Sequence, residues 1–306
     1  MSAETLLTEA RARLVAGDLA GARRRAEEAA NVWRDAGDPA EEARCLRLAS
    51  ALARHAGAVD DAVTLTARAV AVAPVADSYR AAGVAAIAAS DPASAIAEFE
   101  AALAHGPTGG LRAALEQGYG AALLVAGRPG DAVRAYRRAA GALIDAPVPA
   151  ARSLVDGVSQ LQAAGHTDLA EALADDAVAL AGDDHEVRAA LALLAAGRAA
   201  DRGDLAGALA GARRARAEAL AGRTAPGYVA AAVALAALAD AAGDRTAAYG
   251  SLAVGWVTLG DLLGAEAARA AFTPPLQALR QRWGADGFAQ VKAAYEASVR
   301  RAKHST

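Results

Sequence analysis

The chain has 306 residues, a net charge of −3 and a hydrophobic content of 55%, whereas aromatic residues make up only 4%. This length allows one or two domains with a sizeable buried core, and the near-neutral charge gives no indication of nucleic acid or an anionic membrane as partner. The single cysteine, Cys45, excludes a disulfide framework within the chain.

The N-terminal stretch and the apolar runs bear on localisation. The first residues carry the acidic Glu4 and Glu9 and lack the basic start and apolar core of a secretory signal. The most apolar run, 228–239, is shorter than the roughly 18 residues that a membrane-spanning helix needs. We therefore expect a soluble cytoplasmic protein that has no contact with a membrane.

A turn recurs seven times along the chain, at intervals of 33 to 40 residues. The fifth residue after each turn residue is an alanine, and the twelfth is an alanine or, once, a glycine. Small side chains two turns apart on one helix face allow a neighbouring helix to approach to roughly 8–10 Å. Each repeat is therefore predicted to consist of a helix A, the turn and a helix B. The turn residues are Gly17, Gly57, Ser90, Gly127, Gly165, Gly203 and Gly243. The small residues at the fifth position are Ala22, Ala62, Ala95, Ala132, Ala170, Ala208 and Ala248, and those at the twelfth are Ala29, Ala69, Ala102, Ala139, Ala177, Ala215 and Gly255.

Helix-capping residues support this pattern. An aspartate follows the turn residue in four repeats, where it can accept hydrogen bonds at the start of helix B, and Asp91 is followed by a proline at the first helical position. Almost no segment shows the alternating β-branched pattern of a strand. The sequence therefore predicts an all-α protein.

The third and fourth repeats resemble the tetratricopeptide repeat (TPR), a helix–turn–helix of 34 residues with glycine in helix A and spaced alanine, aromatic and alanine residues in helix B. The matching residues are Tyr79, Gly83, Ala95, Phe99, Ala102 and Pro107 in the third repeat, and Gly120, Ala132, Tyr136 and Ala139 in the fourth. The resemblance implies a right-handed α-solenoid of about seven degenerate, bacterial TPR-like repeats over 1–260, in which Tyr136 fills the gap to the next repeat. Another α-solenoid of paired helices is the alternative.

The C-terminal segment, 261–306, departs from the repeat pattern. A helix is predicted from Gly260-Asp261 to near Phe272, followed by a break at 273–275 (Thr-Pro-Pro) and further helical stretches at 276–284 and 286–301. Because a solenoid needs a terminal cap, we expect a helical cap on repeat seven with a solvated basic tail at 300–304. The alternative is a surface for dimerisation or partner docking, which would use Trp283, Phe288 and Tyr295.

Catalytic and metal-binding patterns are absent from the sequence. The five histidines fall in different repeats without metal-ligand spacing, and Cys45 has no nearby histidine, so we expect a buried, inert thiol. The glycine-rich stretch 106–110 lacks the lysine and the preceding strand of a P-loop. We expect no enzyme activity, no metal and no other cofactor.

The resemblance to TPR proteins implies a concave groove that is lined by the A helices. It is expected to be basic in the N-terminal half and mildly acidic at the far end, near Asp201 and Asp240. Arginine side chains there would hold an extended, possibly acidic segment of another protein, so the chain would act as a scaffold or adaptor. The predicted groove residues are Arg44, Arg47, Arg54, His55, Arg80, Gln117, Arg152, Ser159 and Gln162.

Three alternatives to the scaffold hypothesis remain at this stage. The arginines could be ordinary solvated helix residues, or the groove could sense a small peptide as part of a regulatory protein. The aromatic residues of the C-terminal segment could mediate self-assembly, for example as a homodimer. No DNA-binding helix-turn-helix is evident in the first 60 residues, so direct contact with nucleic acid is not expected.

Overall fold

The computed structural model describes residues 1–304, with side chains up to Arg301, and this part of the chain forms sixteen α-helices and no strand. The helices are α1 (Ala3–Val15), α2 (Leu19–Asp35), α3 (Pro39–His55), α4 (Val59–Val72), α5 (Ala76–Ala88), α6 (Pro92–Ala104), α7 (Gly109–Val125), α8 (Pro129–Gly141), α9 (Pro147–Ala163), α10 (Thr167–Ala181), α11 (His185–Asp201), α12 (Leu205–Ala221), α13 (Ala225–Ala241), α14 (Arg245–Leu263), α15 (Ala265–Trp283) and α16 (Ala285–His304). Of the basic tail, Arg300 and Arg301 are exposed, and the side chains of residues 302–304 and all of residues 305–306 lie outside the described part.

Each predicted turn lies between an odd-numbered helix A and an even-numbered helix B, so the seven repeats are confirmed. The six turn glycines have φ between 73° and 82°, in the left-handed region that glycine enters without a steric penalty. Ser90 occupies the same position in repeat three with φ 58°, although it carries a Cβ. The fold is an α-solenoid of helix–turn–helix repeats with a C-terminal helical cap.

The chain divides into two compact units. The N-terminal unit comprises residues 1–173, and the C-terminal unit begins at Ala174, within α10. In the N-terminal unit, consecutive helices from α1 to α9 pack in chain order, and so do α11 to α16 in the C-terminal unit. Neighbouring A helices are also in contact: α3 contacts α5, and α5 contacts α7.

The small residues of helix B are buried as predicted. All thirteen alanines at the fifth and twelfth positions after the turn have no exposed surface. Gly255, which stands at the twelfth position in repeat seven, is also buried. A larger side chain at these points would push helix B away from its neighbours, since interaxial distance follows the side chains at the contact. The alanine pattern therefore specifies the close packing of the repeat.

Two aromatic rings fill the gaps between neighbouring repeats in the N-terminal unit. Phe99 of α6 lies against Gly83 of α5 and Gly118 of α7. Its counterpart in α8, Tyr136, is fully buried, and the prediction that it fills the gap to the next repeat is confirmed. A Cβ on Gly120 would lie 2.5 Å from the Tyr136 ring, and one on Gly157 of α9 would lie 2.7 Å from it. Each ring therefore needs a socket made by two glycines.

The predicted break at residues 273–275 is wrong, because α15 runs without interruption from Ala265 to Trp283 and contains Pro274 and Pro275. Proline removes a helical hydrogen bond and crowds the preceding turn. Phe272 and Leu279, on either side of the prolines, are both buried in the C-terminal core and hold the helix together. Burial of these side chains outweighs the local preference for a break.

The start of the C-terminal segment also differs from the prediction. Gly260 and Asp261 lie inside α14, which continues to Leu263. The chain turns instead at Gly264, where φ is 93°, and again at Gly284, where φ is 77°. Both α15 and α16 pack against α14, the last helix of repeat seven.

Candidate peptide-binding face

Three of the predicted groove arginines meet around one recess of about 120 Å³ in the N-terminal unit. Arg47 and Arg54 stand two helical turns apart on α3, and Arg80 lies on the neighbouring A helix, α5. Residues seven apart share one face of a helix, and the contact of α3 with α5 brings the third guanidinium to that face. The remaining lining residues are Ser50, Ala51, Ala81 and Val84.

The electrostatics of the recess favour an anion. Arg47 is half-buried, and its Nη1 donates to Oγ of Ser78 at 3.2 Å. Burial lowers the pKa of the Arg47 guanidinium, the carboxylate of Asp77 opposes that shift, and the cations Arg80 and Arg44 add to it. Asp77 is also 3.4 Å from Nε of Arg80, so the same carboxylate interacts with both cations. An additional negative charge at this recess would be stabilised.

Arg44 and His55, also predicted for the groove, do not line this recess. Arg44 is exposed, and its Nε donates to Oε2 of Glu41 at 2.7 Å on the same helix. That hydrogen bond is the main reason why the pKa of Arg44 is raised. His55 is exposed at the end of α3, with Nδ1 2.7 Å from the carbonyl oxygen of Ala51.

Gln117 connects two A helices of the N-terminal unit. Its Nε2 donates to Oγ of Ser153 at 2.6 Å and also to the carbonyl oxygen of that residue, so α7 is tied to α9. On α9, Arg152 and Ser159 are exposed and Gln162 is half-buried. None of these four residues lines the arginine recess.

Sequence reasoning missed the two serines that hold Arg47 and Gln117. Ser78 and Ser153 each stand twelve residues before the turn residue of their own repeat. Each accepts a hydrogen bond from the side chain that stands ten residues before the turn residue of the preceding repeat. This shared spacing was visible in the sequence. At the same position repeat four has Leu115 instead, so Arg80 finds no serine and is left to contact Asp77.

At the far end of the predicted groove, Asp240 is bound by residues of the C-terminal helix α15, whereas Asp201 is exposed. Oδ2 of Asp240 accepts from Nη1 of Arg282 at 2.6 Å, and Oδ1 accepts from Nε1 of Trp283 at 2.8 Å. The assignment of Trp283 to a docking surface is corrected for the same reason. Its ring is only 8% exposed and belongs to the core around Phe272 and Leu279.

Phe288 and Tyr295 of α16 are half-buried, and both pack edge-on against Tyr249 with ring centroids 5.5 and 5.4 Å apart. Tyr295 also lines a largely apolar cleft of about 510 Å³ beside Val254 and Val257 of α14. A docking role for Phe288 and Tyr295, and with it the homodimer, stays a prediction.

The described residues include no group of three or more histidine, cysteine, aspartate or glutamate side chains placed to hold a metal ion. Cys45 is 1% exposed, as predicted, and burial raises the pKa of its thiol. Among the described helices, none combines the length and the apolar character that crossing a membrane would require.

Comparison with known proteins identifies the fold. No protein-family model and no curated protein matches the sequence. A tetratricopeptide repeat protein from Parabacteroides merdae is 13% identical, with 90% of this chain and 98% of that chain covered and a TM-score of 0.51. Yeast Tom70 is 14% identical over 92% of this chain, with a TM-score of 0.54, and the match spans 60% of the Tom70 chain. The protein thus has the fold of tetratricopeptide repeat proteins.

Proposed function

We propose that this protein is a non-catalytic scaffold or adaptor that binds an extended, acidic segment of another protein on the A-helix face of its N-terminal unit. The observation that carries this proposal is the recess formed by Arg47, Arg54 and Arg80. The solenoid fold supports it, since stacked helix pairs present a continuous surface for a partner.

The recess suits one acidic side chain of a longer segment. Its volume of about 120 Å³ is below the roughly 300–1,000 Å³ of pockets that enclose a whole small molecule. Guanidinium groups form two parallel hydrogen bonds with a carboxylate, which gives both affinity and orientation. Further acidic side chains of the same segment would reach the exposed Arg44 or, along the A helices, Arg152.

Repeat seven offers an internal parallel to this mode of binding. Asp240 stands three residues before its turn residue, the position that Arg54 occupies in repeat two. There, Asp240 binds a guanidinium and an indole N–H that are delivered by another helix of the chain. Arg54 carries the opposite charge and would bind the opposite kind of side chain, a carboxylate.

Charge reversal tests the proposal. The triple variant Arg47→Glu, Arg54→Glu and Arg80→Glu is compared with wild type for binding of a fluorescein-labelled ten-residue peptide rich in aspartate and glutamate, by fluorescence anisotropy. We expect the Kd of the triple variant to rise at least about tenfold, since charge-assisted hydrogen bonds are lost and like charges introduced. A thermal melt confirms that the variant is folded.

A matched control changes the same net charge on exposed B-helix positions, as Arg68→Glu, Arg134→Glu and Arg213→Glu. The proposal requires that this control keep most of the affinity for the acidic peptide. Equal losses in the two triple variants would show general electrostatic attraction instead of a site. An unchanged Kd in the A-helix variant would reject the arginine recess altogether.

A further inference from the structure

Repeat five, together with the A helix that follows it, differs from repeat four at two interior positions, where a small side chain stands in place of a ring and a guanidinium in place of an amide. Tyr136 stands nine residues after its turn residue and donates through its hydroxyl to Gln160, five residues before the next turn, at 3.0 Å. One repeat later, the same two positions are Ala174 and Arg198. The pair of tyrosine and glutamine has become a pair of alanine and arginine.

The C-terminal unit has a cavity of about 430 Å³ at this point, and Ala174 and Arg198 both line it. Ala195 also lines it and stands eight residues before the turn, where Gly157 completes the socket of Tyr136. No aromatic ring is among the lining residues, so the space has not been refilled from another helix.

The cavity is cationic on one side and apolar on another. Arg188 and Arg198 of α11 and Arg214 of α12 line it, and Asp175 is the one carboxylate among the lining residues. Arg198 is only 8% exposed. Arg188 also pairs with Asp183, at 2.8 Å from Nη2 to Oδ1. The apolar wall consists of Ala174, Val178, Leu191, Ala192 and Ala195.

We propose that this cavity is a binding site for a small organic anion, with a phosphate or carboxylate head on the three guanidinium groups and a short apolar body against Val178 and Leu191. Its volume lies within the range of about 300–1,000 Å³ for small-molecule sites, and such sites combine apolar walls with a few charged groups. The site is separate from the proposed peptide-binding face, since α11 and α12 carry none of the residues of that face.

Isothermal titration calorimetry at low salt tests the site with four probes: hexyl phosphate, hexanoate, inorganic phosphate and hexanol. We expect at least one of the two hexyl anions to bind with a Kd of about 1 mM or tighter, and the better of them identifies the preferred head group. Hexanol and inorganic phosphate should bind at least about tenfold more weakly, because hexanol lacks the anionic head group and inorganic phosphate lacks the apolar body. Binding of neither hexyl anion, or equal binding of hexanol or of inorganic phosphate, would overturn the proposal.

Two neighbouring arginines supply a matched pair of variants. Arg214 lines the cavity, whereas Arg213 does not, and both are exposed on α12. Arg214→Gln should weaken binding of the hexyl anion about tenfold, and Arg213→Gln should leave it unchanged. The opposite order, or equal effects, would reject the site.

A filling variant gives an independent readout. Ala174→Phe restores a ring at the position of Phe99 and Tyr136 and should abolish binding of the hexyl anion. Should Ala174→Phe fail to fold, Arg214→Gln still decides the question. A folded Ala174→Phe variant that binds the anion as wild type does would contradict the assignment of the cavity.

Discussion

Repeats three and four of the N-terminal unit differ from the C-terminal unit in the side chain that stands nine residues after the turn, at the gap between neighbouring repeats. In the N-terminal unit, Phe99 and Tyr136, nine residues after their turns, insert into glycine sockets on the flanking A helices. In the C-terminal unit the same position is Ala174, Ala212 and Leu252. The buried rings of that unit include Phe272, which comes from the capping helix α15 and lies against Gly255.

The side chains that stand three residues before the turns differ in a corresponding way. Arg54 of repeat two lines an open recess, whereas Asp240, at the same position in repeat seven, is already bound by Arg282 and Trp283 of the chain itself. The alanines that pack the helices together are thus compatible with different side chains at the remaining positions of the repeat. The variable positions, rather than the framework, therefore carry the charged groups of the proposed peptide-binding face.

The largest expected effect comes from removing a ring of the N-terminal unit. Tyr136→Ala should lower the free energy of unfolding by about 3–5 kcal/mol, because it empties a fully enclosed socket that the two glycines cannot refill. Chemical denaturation measures the loss. Tyr136→Phe is the matched control and should cost only about 0.5–1.5 kcal/mol, the value of the hydrogen bond to Gln160. Similar losses in the two variants would mean that the ring does not close the interface.

A smaller effect is expected at Asp240 of the C-terminal unit, which accepts hydrogen bonds from α15. Asp240→Ala should destabilise the protein by about 1.5–3 kcal/mol, since the buried indole of Trp283 loses its charged acceptor. Asp201→Ala, an exposed aspartate near the end of the preceding A helix, should stay within about 0.5 kcal/mol of wild type. Denaturation followed by tryptophan fluorescence separates the two variants. Equal stabilities would show that α15 does not depend on Asp240.

The turn of repeat three sharpens the comparison among repeats. Ser90 is the one turn residue with a Cβ, and it has φ 58°. Ser90→Gly should relieve about 1–2 kcal/mol of left-handed strain, offset by about 0.4–1 kcal/mol of added freedom in the unfolded chain. We expect a net gain of roughly 0.5 kcal/mol in the free energy of unfolding. Gly127→Ser is the reverse control and should destabilise; a loss of stability in Ser90→Gly would contradict the account.

The smallest effect concerns the helix that follows Ser90. Asp91 accepts hydrogen bonds from the Ser94 hydroxyl and from the Ser94 backbone N–H, and these hold the pKa of the Asp91 carboxyl below its usual 3.8. Because the pKa is lower in the folded state, the carboxylate stabilises the protein above pH 3.8 and the stabilisation is lost as the pH falls through the folded-state pKa. Wild type should exceed Asp91→Asn in stability near pH 6, and the difference should shrink as the pH falls through the folded-state pKa of Asp91. A pH-independent difference would exclude the charge as its source.

The repeat framework could be predicted from the sequence because its signals are local and recur. Glycine at a left-handed turn and alanine at a helix crossing each follow from one residue type and one spacing. The continuation of α15 through Pro274 and Pro275 could not be predicted in this way, since it depends on the burial of Phe272 and Leu279 against other helices. Local rules for proline describe only the cost of continuing the helix.

The candidate site was predictable only in part. Counting back from the turns placed Arg47, Arg54 and Arg80 on one face, and the structure brings them together. The same counting could not show that Arg44 pairs with Glu41, because an exposed arginine has several rotamers within reach of an acid. The sequence also does not show whether an aromatic side chain is exposed for docking or buried in the core. The prediction of a docking role for Trp283 is therefore wrong, since its indole is buried and donates to Asp240.

The most direct test of the peptide-binding face is a chemical-shift map of the isotope-labelled protein during titration with the acidic ten-residue peptide. The proposal predicts that the largest perturbations fall on α3 and α5, and that they include the Nε–Hε signals of Arg47, Arg54 and Arg80. Perturbations concentrated on the B helices, or around the α14–α16 cleft at Tyr295, would contradict it.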